Sequence, residues 1–331
     1  MRVLIMSHRD VLAALPPREC AEAMAAVLAE RASGGTFMPL RSVMAPPDAA
    51  GFMGLMPCWR GLKDGSNAAF ALKTVCIMPG NPARGLDAHQ GVVTLFDGES
   101  GVPTAILDAA AITEIRTAAV TAVATGALAR RDASTLAILG AGTQARAHLR
   151  ALAGAGEFEQ VRVYAPTQAH ARALVEEAGD LRAQLTVAQS AQDALRDADV
   201  VVTATSSREP VLRRDWLKPG AHVNAVGAST PRAREIDTAT VAASALFCDS
   251  RESLRNEAGE FRLAIAEGLI TGEEHVRAEL GEVLAGTAAG RRDAAELTMF
   301  RSLGLAVEDL AAAECAVRAA TARGLGTEVE M

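Results

Sequence analysis

The chain has 331 residues, half of them hydrophobic and only 3% aromatic, with a net charge of −7. That length accommodates two domains, each with its own core. No uncharged apolar run reaches the ~18 residues needed to span a bilayer, and an acidic chain with few stacking groups and no basic cluster lacks the footprint of nucleic-acid binding.

The opening Met1-Arg-Val-Leu-Ile-Met-Ser-His-Arg-Asp10 is too short an apolar run for a signal peptide, so we expect a cytoplasmic protein without a membrane segment. A helix is predicted over 17–31, closed by Ser33-Gly34-Gly35. Apolar runs follow at 37–44, 51–59, 69–78, 91–96 and 103–107, separated by turn clusters such as Pro79-Gly80-Asn81-Pro82. Strands this close, with no helices between them, predict an antiparallel sheet. A long Ala/Thr helix is predicted over 111–130. Five scattered cysteines (Cys20, Cys58, Cys76, Cys248 and Cys315) lack metal-type spacing. We read them as reduced thiols and expect no metal.

After residue 130 the rhythm changes to alternating strands and helices. Strands are predicted at 136–139, 161–164, 200–204, 222–226 and 245–248, the pattern of a doubly wound parallel sheet. The segment 297–325 reads as helical and as returning to the first domain. The first of these strands runs into Gly140-Ala141-Gly142-Thr143-Gln144-Ala145 and then into a helical pattern. Gly140 permits the tight turn, Gly142 lets backbone approach phosphate, and Ala145 takes the helix-packing position. The N–H groups at the start of the helix then face the anion. Strand, turn and helix together predict a dinucleotide-binding site.

The second strand bears on which dinucleotide. An acid at its end, about 20 residues past the glycines, bonds the ribose hydroxyls and favours NAD. Here Val161-Arg-Val-Tyr164 leads into Ala165-Pro166-Thr167-Gln168, with no carboxylate. Ala165 removes the charge that would repel a 2′-phosphate, and Thr167 is placed to donate to it. We therefore expect NADP(H) to be favoured over NAD(H).

Three basic residues stand among apolar neighbours. Arg41 lies in the apolar run 37–44, Lys73 in the run 69–78, and Arg116 on the long helix. Taken singly, each reads as well as a residue on a solvated face. Converging, they would form a carboxylate clamp with a proton donor. Arginine suits bidentate binding of a carboxylate, and a lysine among apolar groups has a lowered pKa and shuttles protons near neutrality. Spacing alone does not bring them together.

From about residue 41 to 309 the chain resembles the ornithine cyclodeaminase/mu-crystallin family. The resemblance rests on Lys73-Thr-Val-Cys-Ile-Met-Pro-Gly-Asn-Pro82, His89-Gln-Gly91, Ile112-Thr-Glu-Ile-Arg-Thr-Ala-Ala119 and Leu139-Gly-Ala-Gly-Thr-Gln144. It continues in Lys218-Pro-Gly-Ala-His-Val-Asn-Ala-Val-Gly-Ala228 and Phe300-Arg-Ser-Leu-Gly-Leu-Ala-Val-Glu-Asp309. It implies an α/β fold: a Rossmann domain at 116–304 inserted in a discontinuous α+β substrate-binding and dimerisation domain at 1–115 plus 305–331. It also implies a homodimer. Arg41, Lys73 and Arg116 match the family's substrate-carboxylate and proton-handling residues. Arg116, Thr117, Gly140, Gly142, Thr143, Gln144 and Ser302 fall where the family contacts its cofactor, and His89 near the nicotinamide. Thr203, Val226, Gly227 and Ala228 line the same cleft by analogy. Leu303, with Met53 and Met56, falls where side-chain selectivity would be set or in plain core.

The chain also departs from the family. Ornithine cyclodeaminase carries a catalytic Asp where this chain has Ser229, in Ala225-Val-Gly-Ala-Ser229-Thr-Pro. A serine supplies no negative charge for a substrate's distal amine, although it still falls in the substrate site. The expected function is therefore NAD(P)H-dependent reduction of small cyclic 2-imino acids. Alanine dehydrogenase-like reductive amination, ornithine cyclodeamination and non-catalytic binding of a small ligand with NADP are the alternatives.

Overall fold

The computed structural model describes residues 2–61, 68–154, 158–228, 230–231 and 233–331. The chain divides into two compact units: Met1–Arg116 with Gly304–Met331, and Thr117–Leu303. In chain order the first elements are β1 (Arg2–Met6), α1 (His8–Ala14), α2 (Pro17–Ala32), β2 (Thr36–Phe37), β3 (Ser42–Met44) and β4 (Phe52–Arg60). Next come β5 (Ala69–Ile77), β6 (His89–Asp97), β7 (Pro103–Asp108) and α3 (Ala109–Leu128). The second unit continues with β8 (Thr135–Leu139), α4 (Thr143–Ala153), β9 (Gln160–Tyr164), α5 (Gln168–Glu177), β10 (Gln184–Val187), α6 (Ala191–Leu195) and β11 (Val200–Thr203). It is completed by β12 (His222–Ala225), α7 (Thr238–Ala243), β13 (Ala245–Cys248), α8 (Arg251–Glu257), α9 (Gly259–Ala266), β14 (Val276–Glu279), α10 (Leu280–Leu284) and β15 (Thr298–Arg301). The chain ends with α11 (Ala306–Arg323) and β16 (Thr327–Glu330).

In the first unit the sheet runs β16-β1-β7-β6-β5-β4-β2, with β3 also on β4. Strands β4 to β7 pair antiparallel, while β1 pairs parallel with β7. Alternation sets the buried face: Met56 and Cys58, Ala71 and Lys73, Val93 and Leu95, and Ala105 and Leu107 all point inward. Helix α11 packs on β4, β5, β6 and α2. Its Ala311, Ala312, Ala313, Ala316 and Ala320 are buried and keep that face shallow, so the helix lies close to the sheet. Each fully buried Leu or Val here contributes about 1.5–3 kcal/mol.

The second unit is a parallel sheet in the order β10-β9-β8-β11-β12-β15-β13-β14. Its central strands are apolar on both faces because helices cover both. Leu136, Ile138, Val161, Val163, Val200 and Val202 feed one core. Ala137, Leu139, Val201, Val223, Ala225 and Leu246 feed the other. The strand order turns back between β8 and β11, the switch point at which such sheets bind ligands.

Two expectations are corrected. The segment 297–325 is not one helix: β15 occupies its start, and Gly304, at φ +79°, breaks the chain before α11. Arg41 does not lie in a strand, because the run 37–44 divides into β2 and β3 and Arg41 sits in the connection. Pro39, which has no N–H to give to a ladder, lies in that connection.

Candidate active site

In the second unit, β8 delivers the chain to Gly140. Its φ of +123° suits glycine, and a Cβ there would stand 2.3 Å from the Ala204 carbonyl oxygen. At Gly142 a Cβ would meet no heavy atom within 4 Å. Gly142 is the N-cap of α4, no side chain caps that helix, and its first turn, which holds Thr143 and Gln144, carries no acid. An uncapped helix start beside open space fits a pyrophosphate. Thr167 precedes α5 with its hydroxyl not engaged in capping.

Thr203 closes β11, Val226 to Ala228 follow β12 and Ser302 follows β15, so all lie at the carboxyl edge of the sheet with Gly140. The buried Ser302 Oγ has no partner among the described groups, an orphaned hydroxyl that fits a bound ligand at this edge. Its backbone N–H donates to Ala225 O at 3.0 Å. Thr117, at the start of this unit, is buried. Leu303 belongs to a hydrophobic core, and its N–H donates to Asp249 at 2.6 Å.

Glu235 braces the same edge. Its carboxylate accepts from Thr203 Oγ1 at 3.0 Å and from the backbone N–H groups of Thr205 and Gly227, each at 2.6 Å. A fourth bond comes from Ala228 N–H at 3.2 Å. One carboxylate thus ties the end of β11 to the turn after β12. Burial raises its pKa, opposed by these donors and by the charge of Arg301. An open groove of about 690 Å³, lined by Arg214, His275, Arg277 and Arg292 among others, lies where β13, β14 and β15 begin. It is therefore at the opposite edge from the glycine turn.

In the first unit, β5 projects Lys73 onto the buried face under α11. Lys73 Nζ lies 2.7 Å from Asp309 Oδ2 and 3.5 Å from Thr113 Oγ1. Arg116, from α3, donates through Nε to Asp309 Oδ1 and through Nη1 to Glu308 Oε2, both at 3.0 Å. Glu308 also accepts from Leu305 N–H at 3.1 Å, closing the first turn of α11. None of these four charged side chains is more than 6% exposed. Half-buried Arg41 donates to Gly304 O at 2.8 Å. Burial lowers the Lys73 pKa to about 8; Asp309 opposes the shift, while Arg116 and Arg41 add to it. The His89 imidazole, at the start of β6, is likewise lowered, by partial burial and by the Lys73 charge.

The structure thus brings Arg41, Arg116 and His89 each within electrostatic reach of Lys73. Met56 is buried on the same sheet face and Met53 is half-buried. Ser229 lies outside the described residues. Sequence pattern alone gives no role to Glu308, Asp309 or Glu235. Two acids opening an Ala-rich helix were the available signal for the first pair. Glu235 sits in Arg234-Glu-Ile-Asp237, which carries no comparable signal. The described residues hold no group of three or more His, Cys, Asp or Glu able to bind a metal, and none of their helices is long and apolar enough to cross a membrane.

A doubly wound parallel sheet with this glycine turn is a Rossmann-type dinucleotide-binding unit. The chain belongs to the ornithine cyclodeaminase/mu-crystallin family, whose model matches residues 2–323. The mouse (Mus musculus) ketimine reductase mu-crystallin is 37% identical over 300 residues, 91% of this chain and 90% of that one. The Δ1-pyrroline-2-carboxylate reductase of Thermococcus litoralis, solved with NADH and L-proline, has 35% identity and a TM-score of 0.93, covering 99% of this chain and 100% of its own. An archaeal alanine dehydrogenase, solved as a dimer with bound NAD, has 32% identity and a TM-score of 0.92, with both chains fully covered.

Proposed function

We propose that this protein is an NAD(P)H-dependent reductase of small cyclic 2-imino acids, working as a homodimer. Its substrate is Δ1-pyrroline-2-carboxylate or Δ1-piperideine-2-carboxylate, and its product correspondingly proline or pipecolate. The observation that carries the reading is Lys73, a buried amine with its pKa lowered to about 8 and with two arginines beside it. Arg41 and Arg116 take the substrate carboxylate, and Lys73 holds a proton at the imine nitrogen. Protonation makes the imine carbon electrophilic. The reduced nicotinamide, when bound, supplies the hydride to that carbon. Fixing the carboxylate also fixes the carbon, and such orientation supplies up to about 7–11 kcal/mol of barrier reduction in the best cases. The likeness to the Thermococcus litoralis reductase and to the mouse ketimine reductase supports the substrate class.

NADPH is the preferred cofactor in this reading. The support is the neutral end of β9, where Ala165 and Thr167 stand in place of an acid. Ser229, where cyclodeaminases carry Asp, argues against ornithine as substrate. A second reading, reductive amination of pyruvate, is favoured by the likeness to the archaeal alanine dehydrogenase, since the same cations would hold a 2-oxo acid. The discriminating experiment compares loss of reduced-nicotinamide absorbance with the cyclic imine against loss with pyruvate plus ammonia. The reading predicts the imine to be much the faster substrate, and Lys73→Ala to abolish its reduction.

A further inference from the structure

Asp309 carries one cation on each of its oxygens: Lys73 Nζ on Oδ2 at 2.7 Å and Arg116 Nε on Oδ1 at 3.0 Å. Its carboxyl is 1% exposed, so bulk solvent does not screen these contacts. Glu308, one residue earlier, is engaged by Arg116 and by the backbone at the helix start. Both acids lie in the first turn of α11, at the positive end of the helix dipole.

We propose that Asp309 is a positioning residue, which keeps Lys73 protonated and holds it and Arg116 as a single unit. The inference rests on the reading of Lys73 as proton donor. A desolvated ammonium is unstable without a counter-charge, and an opposite charge within hydrogen-bond distance restores it. The charged and titratable groups around Lys73 are Asp309 and Glu308 from α11, Arg116 from α3, Arg41 from the β2–β3 connection, Cys58 from β4 and His89 from β6. Arg116 and Arg41 disfavour the ammonium. Asp309 is the carboxylate in contact with it and holds the balance towards the charged form. Arg116 is bonded to the same carboxylate, so the proton donor and the carboxylate-binding guanidinium keep a fixed separation.

The test is the pH profile of imine reduction in Asp309→Asn, which keeps the shape and removes the charge. The limb on which kcat/KM falls as Lys73 deprotonates should move down by about one pH unit or more from its position near 8. Activity should recover at pH below the new limb, and Asp309→Glu should leave the limb in place. A uniform loss at every pH, with the limb unmoved, would overturn the proposal. If the Asn variant does not fold, Asp309→Ser, which admits a water, takes its place. A second arm needs no substrate. The chain has three lysines, Lys63, Lys73 and Lys218, so lysine-selective ¹³C NMR follows the titration of Lys73 directly. A lower midpoint in the variant supports the proposal even if the parent reduces no imine, an outcome that would sink the functional reading alone. An unchanged midpoint overturns the proposal whatever the activity.

Discussion

Arg116 and Gly304 are packed so closely that any side chain at position 304 would push the guanidinium aside. A Cβ on Gly304 would stand 2.7 Å from both Nη1 and Nη2 of Arg116. The glycine also sits at φ +79°, in the left-handed region. Gly304→Ala should therefore displace the guanidinium and strain the turn, costing roughly 1–3 kcal/mol of stability. A catalytic arginine moved by about 1 Å can lose on the order of 100-fold in rate. Thermal unfolding and kcat/KM measured together check this, and a variant with wild-type kinetics would contradict it.

The pH behaviour follows from the buried lysine. Lys73 is lowered to about 8 in the folded chain, while an unfolded lysine titrates near 10.4. As proton donor it must be charged, so kcat/KM should be level below about 8 and fall above it. Stability should respond in the opposite direction. Between the two values the unfolded chain binds the extra proton, so this group's contribution to stability rises with pH across that window. Its penalty is fully present below the folded value. Chemical denaturation of the parent and Lys73→Met across that window measures the difference.

Glu235 offers a test of the cofactor edge. Glu235→Ala leaves Thr205, Gly227 and Ala228 N–H groups without the acceptor they now share. Gly227 N–H keeps Thr203 O at 3.2 Å, but the buried Ala228 N–H loses its acceptor, at a cost of roughly 1–3 kcal/mol. We expect NADPH affinity, read by fluorescence titration, to fall at least about tenfold, with Glu235→Gln recovering part of it. Unchanged affinity in a folded Ala variant would show that these loops do not depend on the carboxylate.

Cofactor choice is tested at Thr167, which is exposed and precedes α5. Aspartate is a favoured N-cap, so Thr167→Asp should fold. Its charge would repel a 2′-phosphate and leave a ribose hydroxyl a partner. The KM for NADPH should rise about tenfold or more with little change for NADH, a cost of ~1.4 kcal/mol. Equal effects on both cofactors would count against NADPH preference.

The outer face of β4, β5 and β6 carries Trp59, Phe70 and Phe96 on neighbouring strands in register. Phe70 is 45% exposed and Val92 40%. In the homodimer proposed above, this is the face we expect a second copy of the chain to cover. Phe70→Asp should convert a dimer to monomers in sedimentation, and a parent that sediments as a monomer would contradict the homodimer.

The features legible in the sequence were those that local pattern dictates. The turn at Gly140 follows an apolar strand and opens a helix, so a few residues carry the whole signal. Lys73 was conspicuous because a lysine interrupts an inward-facing strand pattern. Its partner was not, since Asp309 lies 236 residues further along and is brought there only by α11 packing on β5. Strand β15 was hidden because Thr298 to Arg301 runs almost directly into the Ala-rich α11, and periodicity cannot separate four residues from a helix so close behind them. Strand β10 was hidden because it is short, half polar and at the sheet edge. Glu235 resembled a solvated loop acid, and its burial depends on two strand ends folding over it.

The most direct measurement is the rate of NADPH and NADH oxidation by the purified protein with Δ1-pyrroline-2-carboxylate, run beside ornithine plus NAD with an ammonia readout. The account predicts fast, imine-dependent loss of NADPH and no ammonia from ornithine. Ammonia released from ornithine, with the imine left unreduced, would contradict it and would mean that Ser229 does not prevent cyclodeamination.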